Sequence, residues 1–198
     1  MPLPKGLKVK KAICVVAGKS GGHIIPGLNY AQNILHQHHE QDLLFFSTHN
    51  KLDADLLKNN KLVTHHVPLH LENIPYKKLY RLPLFGLQLI SSFFKSLFWL
   101  IKKRPSLVIS MGGYISIPVC FAARLLNIRT ELFELNVIPG KATSFLSHHV
   151  SLVRTCFPET KQYLKRVRSV LSHYPLKYKP HQRHKTKKDV VEELLFDP

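Results

Sequence analysis

The chain has 198 residues, 44% hydrophobic and 21% charged, which is enough for one domain with its own core and excludes a disordered chain. Its 29 Lys and Arg against 12 Asp and Glu give a formal net charge of +17, implying a polyanionic partner (nucleic acid or an anionic membrane surface) unless a generally basic proteome explains it. Cys14, Cys120 and Cys156 are odd in number and lack C-x-x-C spacing, which argues against a disulfide framework and for small buried hydrophobes in a reducing compartment.

In chain order, the apolar run Ala12 to Ala17 is too short for a signal-peptide core, and Ile13 to Ala17 reads as a buried parallel strand ending at glycine. Pro26 suits a first helical turn, and Leu28, Ala31, Ile34 and Leu35 follow at helical spacing. Leu43 to Phe46 is a second strand, Asp53 to Leu57 starts a short helix, and Leu62 to Val67 is a third strand. Leu107 to Met111 is another strand, cut off by Gly112-Gly113. Pro118 to Leu126 is helical, Thr130 to Phe133 a strand, and Gly140 to Leu146 a helix. Strands alternating with helices predict an α/β fold, a Rossmann-like doubly wound parallel sheet spanning residues 1–176. In such sheets ligands sit beyond the carboxyl ends of the strands. The Gly18 to Gly22 loop, the Gly112-Gly113 loop and Glu134-Leu135-Asn136 all fall there. Residues 177–198 form a basic tail with little to bury, expected to stay mobile. The histidine doublets (His38-His39, His65-His66, His148-His149) lack metal-ligand spacing and are expected in solvated loops; no metal or other cofactor is implied.

The first of these loops, "AGKSGGHIIPGL" (Ala17 to Leu28), is not a P-loop, because Ile13 stands where that motif needs its first glycine. Nor does it keep the dinucleotide G-x-G-x-x-G spacing. Glycines that let the backbone approach a ligand, followed by a helix N-terminus, nevertheless suit a phosphate or pyrophosphate. A tight strand-to-helix turn explains Gly21-Gly22 about as well. His23 at the helix mouth tips the balance, as an imidazole beside an anion site is suited to general-base work near neutral pH.

Five segments together carry a resemblance. "AGKSGGHIIPGL" resembles the first glycine loop of the MurG glycosyltransferases, and "PSLVISMGGYISIP" (Pro105 to Pro118) their second. "FELNVIPG" (Phe133 to Gly140) resembles their H-E-Q-N-G-I-A-G segment, while "THNKLDADLL" (Thr48 to Leu57) and "YPLK" (Tyr174 to Lys177) match in order and spacing. The resemblance implies a GT-B fold, of which this chain is the N-terminal half and the UDP-GlcNAc-binding C-terminal half is absent. It implies transfer of N-acetylglucosamine from UDP-GlcNAc to the muramoyl C4 hydroxyl of lipid I, an undecaprenyl-pyrophosphate-linked acceptor. The product is lipid II for peptidoglycan, and this chain alone is expected to be inactive. It further implies Ser20, Gly21 and Gly22 on the phosphate side of the cleft and Gly112, Gly113 and Tyr114 as substrate contacts. His23 is the implied base, with Glu134 an alternative base or orienting carboxylate. Asn136 is a donor contact, and Lys177 stands where the family has an arginine. Departures include Lys19 and Ile117 in place of glycines, Phe133 for histidine, Leu135 for glutamine, Val137 for glycine and Tyr174 for asparagine.

"LPLFGLQLISSFFKSLFWLIKKR", Leu82 to Arg104, is the other informative stretch. Its longest uncharged run, Leu82 to Phe94, falls short of the ~20 residues needed to span a bilayer. On a helix, Leu87, Ile90, Phe94, Leu97 and Ile101 share one stripe; Phe85, Leu89, Phe93 and Leu100 share a second; and Gln88, Ser92, Lys95 and Lys102 line the opposite side. Lys77, Lys78, Arg81, Lys102, Lys103 and Arg104 flank it. One stripe belongs to the core. The remainder suits a helix lying in a membrane interface, with Phe94, Leu97 and Trp99 inserted and Lys102 and Lys103 on anionic lipid. The resemblance agrees, implying peripheral attachment at the cytoplasmic face of the inner membrane. Two alternatives stand beside the transferase half: a non-catalytic remnant binding membrane or lipid pyrophosphate, and a nucleic-acid binder. The last is set aside, because no RNP-like aromatic motif or helix-turn-helix pattern accompanies the charge.

Overall fold

The computed structural model describes residues 12–37, 42–72, 75 and 79–176. The elements in order are β1 (Ala12–Val16), α1 (Gly21–Gln37), β2 (Asp42–Thr48), α2 (Lys51–Lys58), β3 (His65–Leu69), α3 (Leu82–Lys103), β4 (Leu107–Ser110), α4 (Ser116–Leu125), β5 (Arg129–Glu134), α5 (Lys141–Leu146), β6 (Leu152–Thr155) and β7 (Ser169–Leu171). All seven strands pair in parallel, in the order β3-β2-β1-β4-β5-β6-β7. The expected α/β sheet is therefore what the chain forms, with its reversal of direction between β1 and β4.

The apolar strands follow from burial on both faces. Side chains alternate across a strand, so Ile13, Val15 and Ala17 meet Ile24, Leu28 and Ala31 of α1, joined by Leu57 of α2. Cys14 and Val16 point the other way, to Leu100 of α3 and Val119, Ala122 and Ala123 of α4. A smaller cluster of Leu132, Leu146, Val153 and Leu164 extends the core beneath α5. All three cysteines are free, and burial pushes the thiols of Cys14 and Cys120 up, the latter to about 12, as expected of inert core residues.

The elements differ from expectation in instructive places. β3 starts at His65, not Leu62, because Leu62 and Val63 turn back onto the α1–α2 side of the core. His65 and His66 are thus half-buried strand residues rather than solvated loop ones: His66 Nε2 bonds Ser47 Oγ at 2.7 Å, and His65 meets Lys103 and the Trp99 ring. His149 stacks on Phe121 and Phe145, whereas His38-His39 lie outside the described residues. Pro26 lies in the second turn of α1, since the helix already starts at Gly21. β6 and β7 were not anticipated; an arginine interrupts one, and the other has three residues.

That arginine belongs to a buried ionic group beneath α1. Glu131 accepts from Arg154 Nε at 2.6 Å and from Arg129 at 2.8 Å, and Tyr30 Oη donates to it at 3.4 Å. Tyr30 also packs edge-on against Phe133, with its phenol pushed up to about 12, mainly by burial. Removing one partner of a buried pair leaves a charge without compensation. Glu131→Ala is expected to cost about 3–5 kcal/mol in urea unfolding, and Arg129→Ala, at the wetter edge, clearly less.

Candidate functional site

The turn after β1 is built around Asp53, which is completely buried. Its carboxylate accepts from the Lys19 backbone N–H at 3.1 and 3.0 Å, from the Thr48 N–H at 3.1 Å, and from the Thr48 hydroxyl. One helix residue thereby ties the end of β2 to the first glycine loop. Gly18 lies so close that a Cβ there would stand 2.8 Å from Asp53 Oδ2 and 2.9 Å from Thr48 Cγ2. Lys19 takes φ +72°, the left-handed conformation that costs a non-glycine residue, and Asp53 holds its N–H there. In the sequence Asp53 stands at a helix start and within the Thr48 to Leu57 segment of the resemblance, but takes no role, since no periodicity marks a carboxylate that reaches back to an earlier loop.

α1 then opens with Gly21, Gly22 and His23. The glycine pair is therefore helical rather than loop, at the end where backbone N–H groups lack carbonyl partners a turn earlier. Ser20 O accepts the backbone N–H of His23 and of Ile24, both at 3.2 Å, and Ser20 Oγ bonds His23 Nδ1 at 3.1 Å. His23 is half-buried, and burial lowers its pKa below the ordinary histidine value while the Glu134 charge opposes the shift.

The second glycine loop follows β4. Gly112 and Gly113 take φ +80° and +78°, and a Cβ on Gly112 would lie 3.0 Å from Thr143 Oγ1. Ser116 Oγ donates to Gly112 O at 2.7 Å, pinning the loop to α4. Tyr114 leans to the first loop, with the Lys19 ammonium 5.9 Å above its ring. The third loop follows β5, where Glu134 is 3% exposed. Its Oε1 accepts from the Asn136 N–H at 2.9 Å and Asn136 Nδ2 at 3.0 Å, and its Oε2 accepts from the Gly140 N–H at 3.3 Å. Both Glu134 oxygens thus serve the fold of their own loop, and Asn136 is exposed beside them.

Ser20, Gly21, Gly22, His23, Gly112, Gly113, Tyr114, Glu134 and Asn136 accordingly gather on the carboxyl rim of the sheet. Lys177 and the tail 177–198 lie outside the described residues. Just before them Pro175 O accepts from Asn29 Nδ2 at 3.1 Å, which fixes the chain's exit beside α1.

Along one side runs α3, whose stripe of Phe85, Leu89, Phe93 and Leu100 is the one turned to the domain, as expected of one stripe, while Ser92, expected on the opposite side, is buried too. Ser92, Ser96 and Leu100 are its buried residues, the Ser96 hydroxyl donating to Ser92 O at 2.7 Å. Leu87, Phe94 and Phe98 are 65%, 61% and 59% exposed. Leu97 and Trp99 pack partly against the core, so Phe94 alone of the three residues expected to insert is fully outward. Lys102 is exposed, with its ammonium 5.1 Å from the Trp99 ring, whereas Lys103 turns inward to His65 and Asp42. Lys77 and Lys78 lie outside the described residues. At 22 residues, α3 is long and apolar enough to cross a bilayer by length and composition. Its serine face, however, is packed on the domain.

A wholly parallel sheet with glycine loops meeting on its carboxyl rim is the architecture of one Rossmann-like half of a GT-B glycosyltransferase. The chain belongs to glycosyltransferase family 28, matching its N-terminal domain over residues 13–154. Among curated relatives, the UDP-N-acetylglucosamine–N-acetylmuramyl-(pentapeptide) pyrophosphoryl-undecaprenol N-acetylglucosamine transferase of Carboxydothermus hydrogenoformans is 35% identical over 155 residues, covering 75% of this chain and 39% of the relative. The protein of that name from Baumannia cicadellinicola is 31% identical over 150 residues, 76% and 41% of the two chains. This chain thus spans about two fifths of the relatives' length. Acinetobacter baumannii MurG superposes with a TM-score of 0.68 at 22% identity, over 89% of this chain and 50% of that one. A UDP-GlcNAc 2-epimerase from Neisseria meningitidis shares the fold at a TM-score of 0.61 and 11% identity, over 93% and 53%.

Lys19→Gly is expected to raise stability by about 1 kcal/mol by relieving the left-handed lysine, whereas Asp53→Ala, which strands three buried donors, is expected to lower it; thermal unfolding reads both. In an NMR titration His23 should protonate with a midpoint below 6.5. A lowered folded-state value penalises the protonated native state. Its contribution to stability is therefore kept above the unfolded-state pKa and lost as pH falls through the folded one.

Proposed function

We propose that this chain is the acceptor-binding half of a MurG-like transferase. The whole enzyme moves GlcNAc from UDP-GlcNAc to the muramoyl C4 hydroxyl of lipid I, making lipid II for peptidoglycan, with the donor held by the part of the relatives that this chain does not span. The observation that carries the reading is His23, held by Ser20 at the mouth of α1, its pKa lowered by burial with the Glu134 charge opposing the shift. In the working tautomer Nδ1–H donates to Ser20 Oγ and Nε2 keeps its lone pair. Nε2 takes the proton of the acceptor hydroxyl as that oxygen bonds the anomeric carbon. The bond from that carbon to the diphosphate breaks on the opposite face, and UDP leaves with its electron pair, so the configuration inverts. The N-terminus of α1, with Ser20, Gly21 and Gly22, favours the negative charge.

Glu134 fits an orienting role better than that of base, because three hydrogen bonds from its own loop occupy both oxygens. Asn136 is then a donor contact, and Gly112, Gly113 and Tyr114 form the opposite wall. The exposed stripe of α3, with Lys102 and Arg104 beside it, rests on the anionic cytoplasmic leaflet of the inner membrane as a peripheral attachment; each base near the lipid contributes about 1 kcal/mol. A non-catalytic lipid-pyrophosphate binding module is the second reading, favoured by the strained Lys19 where the MurG loop has glycine.

The test is reconstitution with the UDP-GlcNAc-binding half of a MurG enzyme added in trans. Neither half alone should turn over a lipid I analogue. In the pair, His23→Ala should lower kcat by about 10²–10⁴-fold with acceptor affinity nearly kept, and Glu134→Ala should lower it less. A larger loss in Glu134→Ala moves the base to the carboxylate. Full activity in both variants overturns the mechanism, and a pair that binds acceptor without turnover selects the second reading.

A further inference from the structure

At the other end of the sheet from the glycine loops, the last turn of α4 and the starts of β5 and β6 line a cavity of about 490 Å³, within the range of small-molecule sites. Its polar lining is Arg124, Asn127, Arg129, Thr130, His149 and Ser151, with no carboxylate among the described residues that line it. Arg129 opens β5 and Glu134 ends it, so roughly 17 Å of strand separates this cavity from the rim.

Charge around the cavity does not balance. Glu131 answers Arg129 and Arg154 together, one carboxylate for two guanidiniums, and it engages Arg129 through Nε and Nη2 at 3.2 and 2.8 Å. Arg124 makes no ion pair among the described residues; its Nη1 donates to His149 Nδ1 at 3.5 Å. A guanidinium only donates, so His149 accepts at Nδ1 and, when neutral, carries its proton on Nε2 as a further donor. The exposed Ser151 hydroxyl accepts the Thr130 N–H at 3.1 Å and keeps its own proton to give. The carbonyl end of a helix ordinarily repels anions. Here the N–H groups of Leu126, Asn127 and Ile128 take the carbonyls of Ala122, Arg124 and Ala123, so the end of α4 is largely satisfied. Asn127 turns the chain into β5 at φ +52°, a conformation asparagine tolerates better than most residues.

We infer that this cavity binds the phosphate group of a small soluble phosphomonoester, at a site separate from the rim and independent of the acceptor reading. The donors come from three places: Arg124 from α4, Arg129 from β5, and His149 and Ser151 from the turn before β6. A carboxylate offers two oxygens to such a set. A terminal phosphate offers three and carries close to two charges at neutral pH, and arginine forks match its oxygens bidentately. The lining holds no Phe, Tyr or Trp on which a nucleobase would stack, so the rest of the ligand is small and polar, of the size of a sugar or polyol.

Titration of the full chain with glycerol 3-phosphate, followed by NMR at the imidazole signals, tests this at constant ionic strength and about pH 7.5, where the monoester is dianionic. The ligand should move the His149 signals saturably, and glycerol should not. Arg124→Gln, a change at an exposed side chain, should weaken the affinity read at His149 at least about tenfold. Arg124→Lys should restore only part of that loss, since it returns the charge without the fork. Lys58→Gln removes the same charge from an exposed position on α2 and should leave the affinity unchanged. Equal losses in Arg124→Gln and Lys58→Gln mean that the net charge of the chain does the binding, and overturn the inference. A response at His23 alone puts the phosphate on the glycine loops and overturns it too. Phosphatidylglycerol vesicles present the same phosphate chemistry as a diester on a surface. If Arg124→Gln weakens vesicle binding while glycerol 3-phosphate leaves His149 unmoved, the cluster serves a lipid surface and the soluble-ligand site is wrong.

Discussion

The carboxylate of Asp53 is the point on which the rim depends. A parallel sheet hands its ligand site to loops, and loops are the least constrained parts of a chain. Here one buried acid takes the N–H groups of Lys19 and Thr48 together, so that the turn after β1 is fastened to the end of β2. Everything carried by that turn inherits the constraint: the left-handed Lys19, the start of α1 at Gly21, and the Ser20–His23 contact. Glu134 plays the corresponding part after β5, closing its own loop onto Asn136 and Gly140. Two carboxylates thus shape the site from behind.

α3 packs on the domain through Leu100 together with two small polar residues, Ser92 and Ser96. Ser92 and Ser96 are small enough to let the helix lie close to the domain, and the bond from Ser96 to the helix backbone removes the cost of burying its hydroxyl. The large side chains are thereby displaced to the outer face, where Leu87, Phe94 and Phe98 form a continuous apolar surface. A core helix with leucines in the serine positions would have stood further off. It would also have had no reason to present aromatic rings outward.

The strands β1, β2 and β4 were legible because burial on both faces demands apolar runs, β5 in spite of the Glu131 within it, and the glycines that follow two of them mark the rim. The three loops that meet there could be placed from the order of strands alone. What the chain's one-dimensional pattern did not reveal are features set by contact across the fold. β6 carries Arg154, whose charge is neutralised by Glu131 on the neighbouring strand β5, 23 residues earlier, so its run is broken to the eye but not in the sheet. The burial of Ser92 is hidden for the same reason, since a serine counts as polar until the fold packs it against the domain. Asp53 is the clearest case: its role exists only once β2 has brought the helix beside the first turn.

The strand order has a consequence for the nascent chain. β1 lies inside the sheet, yet it comes first in the chain among the described strands, and its second neighbour is β4, which begins at Leu107. At about 5–20 residues per second, the N-terminal three-strand unit waits several seconds with one apolar, hydrogen-bonding edge of β1 open. The last large element to emerge before β4 closes that edge is α3, itself oily on its outer face. Synthesis therefore passes through an interval in which an open strand edge and an apolar helix are exposed together, before the rim of glycine loops is complete.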